Sequence, residues 1–314
     1  MLRTIGRRLV SMVFVLVGIS FLTFVVGYLA PGDPVQALMG NRHDPALHAR
    51  LLHFYGLDRP WWQQYGAYLW RAAHGDLGTS FQYPGVSVAT IIGRGVPVSL
   101  ELGGLALLCT LLIGIPVGFA AALRHDTLLD TGSMGLMLLL YAIPGFILAP
   151  AILAADVAAC NAGGRWPCLP VYGWGTPSHL VLPLIVYAAG GVAYIVRLTR
   201  ASVLEMLGRD YIRTARAKGL APLALNSRHV LRNALIPIVT YIGPSIAFLV
   251  TGAFVIEYIF NIPGIGYQTI QSLGQRDYPV VEGTTLLLAA AVVAMNLLTD
   301  LLYTVLDPRI RDDR

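Results

Sequence analysis

Lysine is almost missing from this chain. Lys218 is the only one, and charged residues of all kinds make up 12% of 314 residues, against 56% hydrophobic. Soluble domains carry about 25% charged residues, so the composition excludes an ordinary soluble globule and fits a chain built for lipid. Cysteine is scarce too, three in all. With no CxxC and no nearby His pair, the cysteines give no metal-site signal. A phosphate-cradling GxxxxGK[ST] loop is absent, and Lys218 lies between Ala217 and Gly219, the wrong arrangement for one. HExxH and GxSxG are absent as well. Acids inside the apolar runs reduce to Glu101 and Asp300, each toward one end of its run. A carrier driven by protons or sodium needs ionisable groups near the bilayer midplane. Their shortage points to energy arriving from outside the membrane.

The net charge is +5, carried by arginines in short blocks beside apolar runs. That placement marks membrane topology rather than a nucleic-acid-binding face, and no nucleic acid is expected as a partner.

Six runs meet the length of about 20 mostly apolar residues needed to span a bilayer: Leu9–Ala30, Pro97–Leu123, Thr131–Ala155, His179–Thr199, Asn233–Ile256 and Glu282–Leu306. The first follows MLRTIGRR. It is too long for the core of a signal peptide and has no small-residue cleavage site, so a retained helix is expected. Helices are the natural spanning element because a lone lipid-exposed strand leaves its backbone groups unpaired. Of the 22 basic residues, fifteen fall on one side: Arg3, Arg7, Arg8, Arg124, the eight from Arg197 to Arg232, Arg309, Arg311 and Arg314. Arg42, Arg50, Arg59, Arg71, Arg94, Arg165 and Arg276 fall on the other. The positive-inside rule puts the richer side in the cytoplasm. The expected fold is an all-α membrane protein with six transmembrane helices and both termini inside. A sizeable external segment follows helix 1, and a cytoplasmic loop joins helices 4 and 5. Two parts are expected: residues 1–96, the first helix plus the external segment, and residues 97–314, a five-helix core containing the loop 200–232.

In the external segment, Asp44 as N-cap, Pro45 at the first helical position and Gly56 as a stop predict a short helix. A second is predicted from Pro60 to His74-Gly75. Trp61, Trp62, Tyr65, Tyr68 and Trp70 crowd it, reading as an interfacial aromatic belt in preference to a ligand-stacking site. Cys160 and Cys168 sit in the second external segment, where either a disulfide or two unpaired thiols fits; Cys109 reads as packing. The third external segment, Glu257 to Pro279, turns at Pro263-Gly264, carries a short apolar helix and breaks again at Asp277–Pro279. It is either an element dipping back toward the membrane or an ordinary ordered loop. Small residues in the spans, among them Gly114, Gly118, Gly190 and Gly191, permit close helix approach. Pro116, Pro144, Pro183, Pro237 and Pro244 predict kinks.

The long polar interval is Asp210–Pro237, DYIRTARAKGLAPLALNSRHVLRNALIP. Asp210 can cap a helix running through Lys218, with Gly219 stopping it. Arg209, Arg213 and Arg216 share one face, while Ile212, Ala215 and Gly219 form a small apolar strip. Pro222 opens a second helix toward Arg232. Such a unit can seat in a groove on a soluble partner, or lie as a basic patch on anionic lipid.

Nine motifs then decide between them: PGDP (31–34), YGLDRPWWQQY (55–65), GDLGTSF (75–81), PVSLELG (97–103), RTARAKGL (213–220), HVLRNALIP (229–237), FNIPGIG (260–266), RDYPVVEG (276–283) and DPRIR (307–311). In this order they resemble the dipeptide/oligopeptide permease family of ABC importers, which includes nickel and glutathione importers. The interval resembles that family's EAA loop. The resemblance implies a coupling helix over Asp210–Leu220, with Asp210, Tyr211, Arg213, Thr214, Ala215, Arg216, Ala217, Lys218 and Gly219 meeting an ATPase. Two departures stand out: Arg213 replaces the usual Glu and Arg232 the usual distal Pro. FNIPGIG, through Phe260, Pro263, Gly264 and Gly266, would lie by the external gate. The resemblance also implies a second homologous permease subunit, two cytoplasmic ABC ATPases carrying ATP and Mg, and an extracytoplasmic solute-binding protein. The chain would bind no cofactor, have no catalytic site, and sit as a multi-pass protein in the bacterial cytoplasmic (inner) membrane. Di- or oligopeptide is the expected cargo, with nickel chelate or glutathione as alternatives. A membrane-embedded enzyme, the different-class alternative, lacks paired acids or a nucleophile–base pair in the runs.

Overall fold

The computed structural model describes residues 2–39, 44–162, 168–251 and 254–306. The motif at 307–311 and Arg42, Arg165, Arg309, Arg311 and Arg314 of the charge count lie outside the described residues. Helices follow one another along the chain: α1 (Leu2–Leu29), α2 (Pro34–Met39), α3 (Pro45–Tyr55), α4 (Trp61–Ala73), α5 (Val88–Leu123), α6 (Leu128–Ala142), α7 (Gly145–Asn161) and α8 (Pro177–Leu207). Then come α9 (Asp210–Ala217), α10 (Pro222–Leu225), a π-helical turn (Asn226–Leu231), α11 (Arg232–Ala234), α12 (Ile236–Thr251), α13 (Phe254–Ile259), α14 (Ile265–Gly274) and α15 (Tyr278–Leu306). Among the described residues the only β-pairing is one isolated bridge, Thr79 with Ser87.

Four helices are long and apolar enough to span alone: α1, α5, α8 and α15. The run Thr131–Ala155 is not one straight helix. It divides into α6 and α7, which meet at 107°, because Pro144 cannot donate a backbone hydrogen bond and holds Ile143 extended. Counted as one bent span, this pair gives a fifth. The run Asn233–Ile256 is likewise interrupted. A turn at Leu235 precedes α12, where Pro237 is the second residue, and residues 252–253 of the run lie outside the described residues. Two spans also begin earlier than their hydropathy indicated, α5 at Val88 and α15 at Tyr278.

The chain folds as two compact units. One holds residues 1–99, 250–254 and 263–314. In it α4 lies on α1: Tyr65 sits edge-on to Phe21 at 5.3 Å and its hydroxyl meets Ser20 at 3.1 Å. The predicted caps of α3 are in place. Asp44 accepts the Ala46 and Leu47 N–H groups, and Gly56 takes a left-handed φ of 69°. Trp62 and Trp70 remain exposed as an aromatic belt requires, whereas Tyr68 is buried; burial, and then the nearby Glu282 charge, pushes its phenol pKa up. Asp33 of the PGDP motif accepts from the Val35 N–H and meets His48 at 2.6 Å. Partial burial pushes its carboxyl up, but His48 and the two backbone N–H groups outweigh that and hold it below the ordinary range.

Motifs far apart in sequence meet in this unit. Asp277 of RDYPVVEG is fully buried and accepts from the Ser80 hydroxyl and from the backbone N–H groups of Phe81 (2.9 Å) and Gln82 (3.3 Å), all in or beside GDLGTSF. Gln82 also donates to the Gln275 carbonyl at 2.8 Å. Val88, Ile91 and Ile92 of α5 pack with Ile265, Val280 and Leu288 into the core beneath.

The other unit holds residues 100–249 and 255–262. Its seam is α5 on α8, and glycine makes it close. A Cβ at Gly118 would lie 2.5 Å from the Val196 carbonyl oxygen, and one at Gly114 2.6 Å from Ile195. Gly191 of α8 approaches Thr110 of α5 in the same way. α6 joins through Met137, which packs on Ala188, Val192, Ala193 and Val196. Its first turn is clamped by Arg200, which holds both oxygens of buried Asp130, at 2.5 and 2.6 Å. A disulfide joins Cys160, at the end of α7, to Cys168.

Candidate functional site

Local sequence makes α9 short and sharply ended. Arg209 is the N-cap and Asp210 the first helical residue, so the acid lies by the positive end of the helix dipole and makes no capping bond. The helix closes in a Schellman motif: the Gly219 N–H reaches the Arg216 carbonyl (2.9 Å) and the Leu220 N–H reaches that of Ala215 (3.3 Å). Gly219 takes φ +78°, which suits glycine, and nothing stands within 4 Å of where its Cβ would be. Backbone shape, not space, selects glycine here.

The apolar strip of α9 faces inward. Ile212 is fully buried among Ala122, Val203, Leu225, Val230 and Ala234, with Ala215 half-buried beside it. Ile212, and in part Ala215, are therefore covered by this chain, and Gly219 is the one member of the strip left open to a partner. What stays exposed is mostly polar: Asp210, Tyr211, Arg213, Thr214, Arg216 and Lys218, with Ala217 and Gly219 among them. Arg209 reaches back to Glu205 at 2.5 Å, and Arg213 lies 3.8 Å from Asp210. Both pairs are exposed and contribute little to stability. Their effect is to leave a mixed-charge, hydrogen-bonding face.

The second predicted helix, from Pro222 toward Arg232, exists only in pieces. After α10 the hydrogen-bond ladder widens into the π-turn Asn226–Leu231 and returns to α-helix at Arg232. Such turns concentrate at functional positions. Asn233 ties the two halves together, donating to the His229 carbonyl (3.0 Å) and to the Tyr211 hydroxyl (3.1 Å).

The segment around FNIPGIG has the opposite character. Phe260, Gly264 and Gly266 are buried, and Asn261 and Pro263 are exposed. The Phe260 carbonyl accepts from the Gly173 N–H at 3.0 Å. Beyond the proline, the Ile265 N–H donates to Ser99 Oγ at 2.8 Å, at the start of α14. Asn261 and Arg276 take left-handed φ values of 52° and 59°. The second break therefore falls at Gln275–Asp277, just ahead of α15. Among the described residues, no three His, Cys, Asp or Glu side chains converge as a metal site.

Sequence comparison reaches almost every residue. The profile described as "Binding-protein-dependent transport system inner membrane component" matches residues 114–312, and the profile for the N-terminal part of such components matches 1–101. The dipeptide transport system permease protein DppB of Escherichia coli (strain K12) is 40% identical across 99% of each chain. Its namesake in Bacillus subtilis (strain 168) is 40% identical over 99% of this chain and 98% of its own. A putative peptide transport system permease protein of Brucella abortus (strain 2308) is 38% identical over 98% of both. Among solved structures, an amino acid ABC transporter with histidines overlays 70% of this chain at 17% identity and TM-score 0.49, too remote to argue from.

Proposed function

From the premise that the chain belongs to the family of binding-protein-dependent transport system inner membrane components, we propose the following assembly. The chain forms half of the translocation pathway of an ABC importer for di- or oligopeptides, and a second, homologous permease subunit forms the other half. In this reading the chain makes six spans with both termini in the cytoplasm, so that α9 faces the side where soluble ATPases can reach it. Two such ATPases carry the ATP and Mg, this chain holds no catalytic site, and a binding protein outside delivers the cargo. ATP-driven closure moves α9, and α9 moves the helices on which Ile212 is seated. The disposition of α9 supports this reading: one face is buried in its own chain and the other is a continuous exposed polar surface. The peptide cargo is supported by relatives about 40% identical over nearly their whole length that carry the name of dipeptide permeases.

The test is reconstitution with the co-purifying partners in vesicles. ATP-dependent uptake of alanyl-alanine is expected. Arg216→Glu, on the exposed face, should abolish uptake while leaving expression, insertion and thermal stability unchanged. Uptake without any ATPase bound, or normal uptake by that variant, contradicts the coupling role. Uptake of nickel chelate or glutathione in place of alanyl-alanine would move the cargo to the family's other solutes.

A further inference from the structure

Arg197 lies inside α8, ten residues before its end at Leu207, and is exposed. One turn further on, Arg200 is fully engaged by Asp130. Arg197 has no equivalent: among the described residues no carboxylate stands within ion-pair distance of it. Instead its guanidinium sits over the ring of Tyr141, 5.6 Å from the centroid. Asp130 and Tyr141 belong to the same helix, and α6 rises about 16 Å between them. The guanidinium therefore reaches away from the Asp130–Arg200 clamp, toward the C-terminal end of α6. A snorkelling arginine at this end of the span would do the reverse and run out to the headgroups.

The neighbours of Arg197 are equally out of place against lipid. Tyr194, three residues earlier on the same face, is 37% exposed and stacks on Tyr241 of α12, with centroids 4.6 Å apart and planes at 29°. Tyr141 is 54% exposed. Behind them Val192, Ala193, Ile195 and Val196 are buried. Three phenols and an unpaired guanidinium thus share one uncovered seam on α6, α8 and α12. Acyl chains offer such a seam no hydrogen bond, so it borders water or protein.

We propose that this seam lines the path of the solute, and that Arg197 receives the free C-terminal carboxylate of a passing peptide. A planar guanidinium with no acid beside it among the described residues matches a carboxylate through two parallel hydrogen bonds. The flat faces of Tyr194 and Tyr241 suit peptide groups or side chains of varied size. Access to water keeps the hold weak, as transit requires. The inference rests on the peptide reading above.

The experiment uses the full reconstituted complex with Cys109→Ala and Tyr194→Cys, which leaves Arg197 in place one turn away. A membrane-impermeant thiol reagent should label the Tyr194→Cys thiol, and alanyl-alanine should slow labelling several-fold where alanyl-alaninamide does not. Labelling only by a lipid-soluble maleimide would overturn the proposal, as would protection by the second permease that is indifferent to peptide. In parallel, Arg197→Gln should lower alanyl-alanine uptake about tenfold or more, with binding-protein-stimulated ATP hydrolysis retained and Arg197→Lys recovering part of the uptake. Wild-type uptake by Arg197→Gln also overturns it. The two readings fail separately: a wild-type complex that moves another solute but no dipeptide removes the cargo reading, whereas a dipeptide-moving complex with an unprotected thiol removes only this one.

Discussion

The segment around α9 and the segment from Phe260 to Asp277 are both polar interruptions between apolar helices, yet they are built in opposite ways. α9 shows nearly all its side chains to solvent and is held by one large apolar residue, Ile212. The other segment buries Phe260, Ile262, Gly264, Ile265 and Gly266, and ends on a carboxylate that holds three donors. A surface made to be gripped keeps its donors free. An element that must stay in place spends them on its own chain. The two should therefore answer mutation differently, one through coupling and the other through stability.

The largest effect is expected at Asp277. Removing its carboxylate by Asp277→Ala leaves the Ser80 hydroxyl and the Phe81 and Gln82 N–H groups without their acceptor in a buried place. At roughly 1–3 kcal/mol per orphaned donor, the loss is about 4 kcal/mol, read as a lower midpoint in detergent thermal unfolding and a lower membrane yield. Ile212→Ala comes next. It empties a fully buried site on the other unit and should cost about 3 kcal/mol. Unlike Asp277→Ala, it should also loosen α9, so uptake per assembled complex falls along with stability. If Asp277→Ala changed uptake per complex and left the midpoint alone, the contrast between the two segments would be gone.

Gly219→Ala should be milder. The methyl has open space around it but the backbone stays left-handed, at a cost of about 1 kcal/mol. A rise in protease cleavage after Lys218 would register the fraying, while the global midpoint moves little. A bulkier residue at Gly219 should add nothing to this cost in the isolated chain. Any additional loss of uptake seen only with ATPases present then measures the partner's surface, and separates gripping from holding more finely than either large effect does.

The sequence disclosed local structure well and long-range pairing poorly. Asp44, Pro45 and Gly56 announced α3 because caps act within four residues, and Pro144 announced a kink, though not a full break of the span, because a missing N–H is a property of one residue. The 107° that follows the break depends on what α7 packs against, which no local rule contains. GDLGTSF and RDYPVVEG each stood out as motifs, but nothing in either indicated that one supplies the acceptor for the other across 197 positions. On α9 the spacing of Ile212 and Ala215 identified an apolar strip correctly and left its partner open. The cover came from α5, α8 and the residues after Pro222 in the same chain. The π-turn was invisible because one extra residue in a turn barely disturbs a short hydrophobic pattern. Arg197 showed in the sequence only as a charge near the end of a run, and its meaning came from Tyr141, 56 positions away.

The smallest effect should be the acid response of the PGDP corner, and its sign follows from Asp33. The folded carboxyl titrates below its unfolded value because His48 and the Val35 and Gln36 N–H groups favour the charged form by more than burial disfavours it. The corner therefore draws full support from Asp33 above the ordinary carboxylate range and loses it as pH falls through the lower, folded value. Asp58, held low by His53, should behave the same way on the exposed side of α3. Both sites are solvent-accessible, so the change in midpoint between about pH 7 and about pH 3 traceable to either is small. Asp33→Asn should flatten that part of the curve without altering its neutral-pH plateau by more than Asn's weaker acceptance explains. A variant that instead gained stability at acid pH would mean that His48 and not the backbone N–H groups governs the corner. In that case α2 is tethered to α3 by a charge pair alone, and the PGDP turn belongs with the weakly held surface of α9 and not with the buried carboxylate of Asp277.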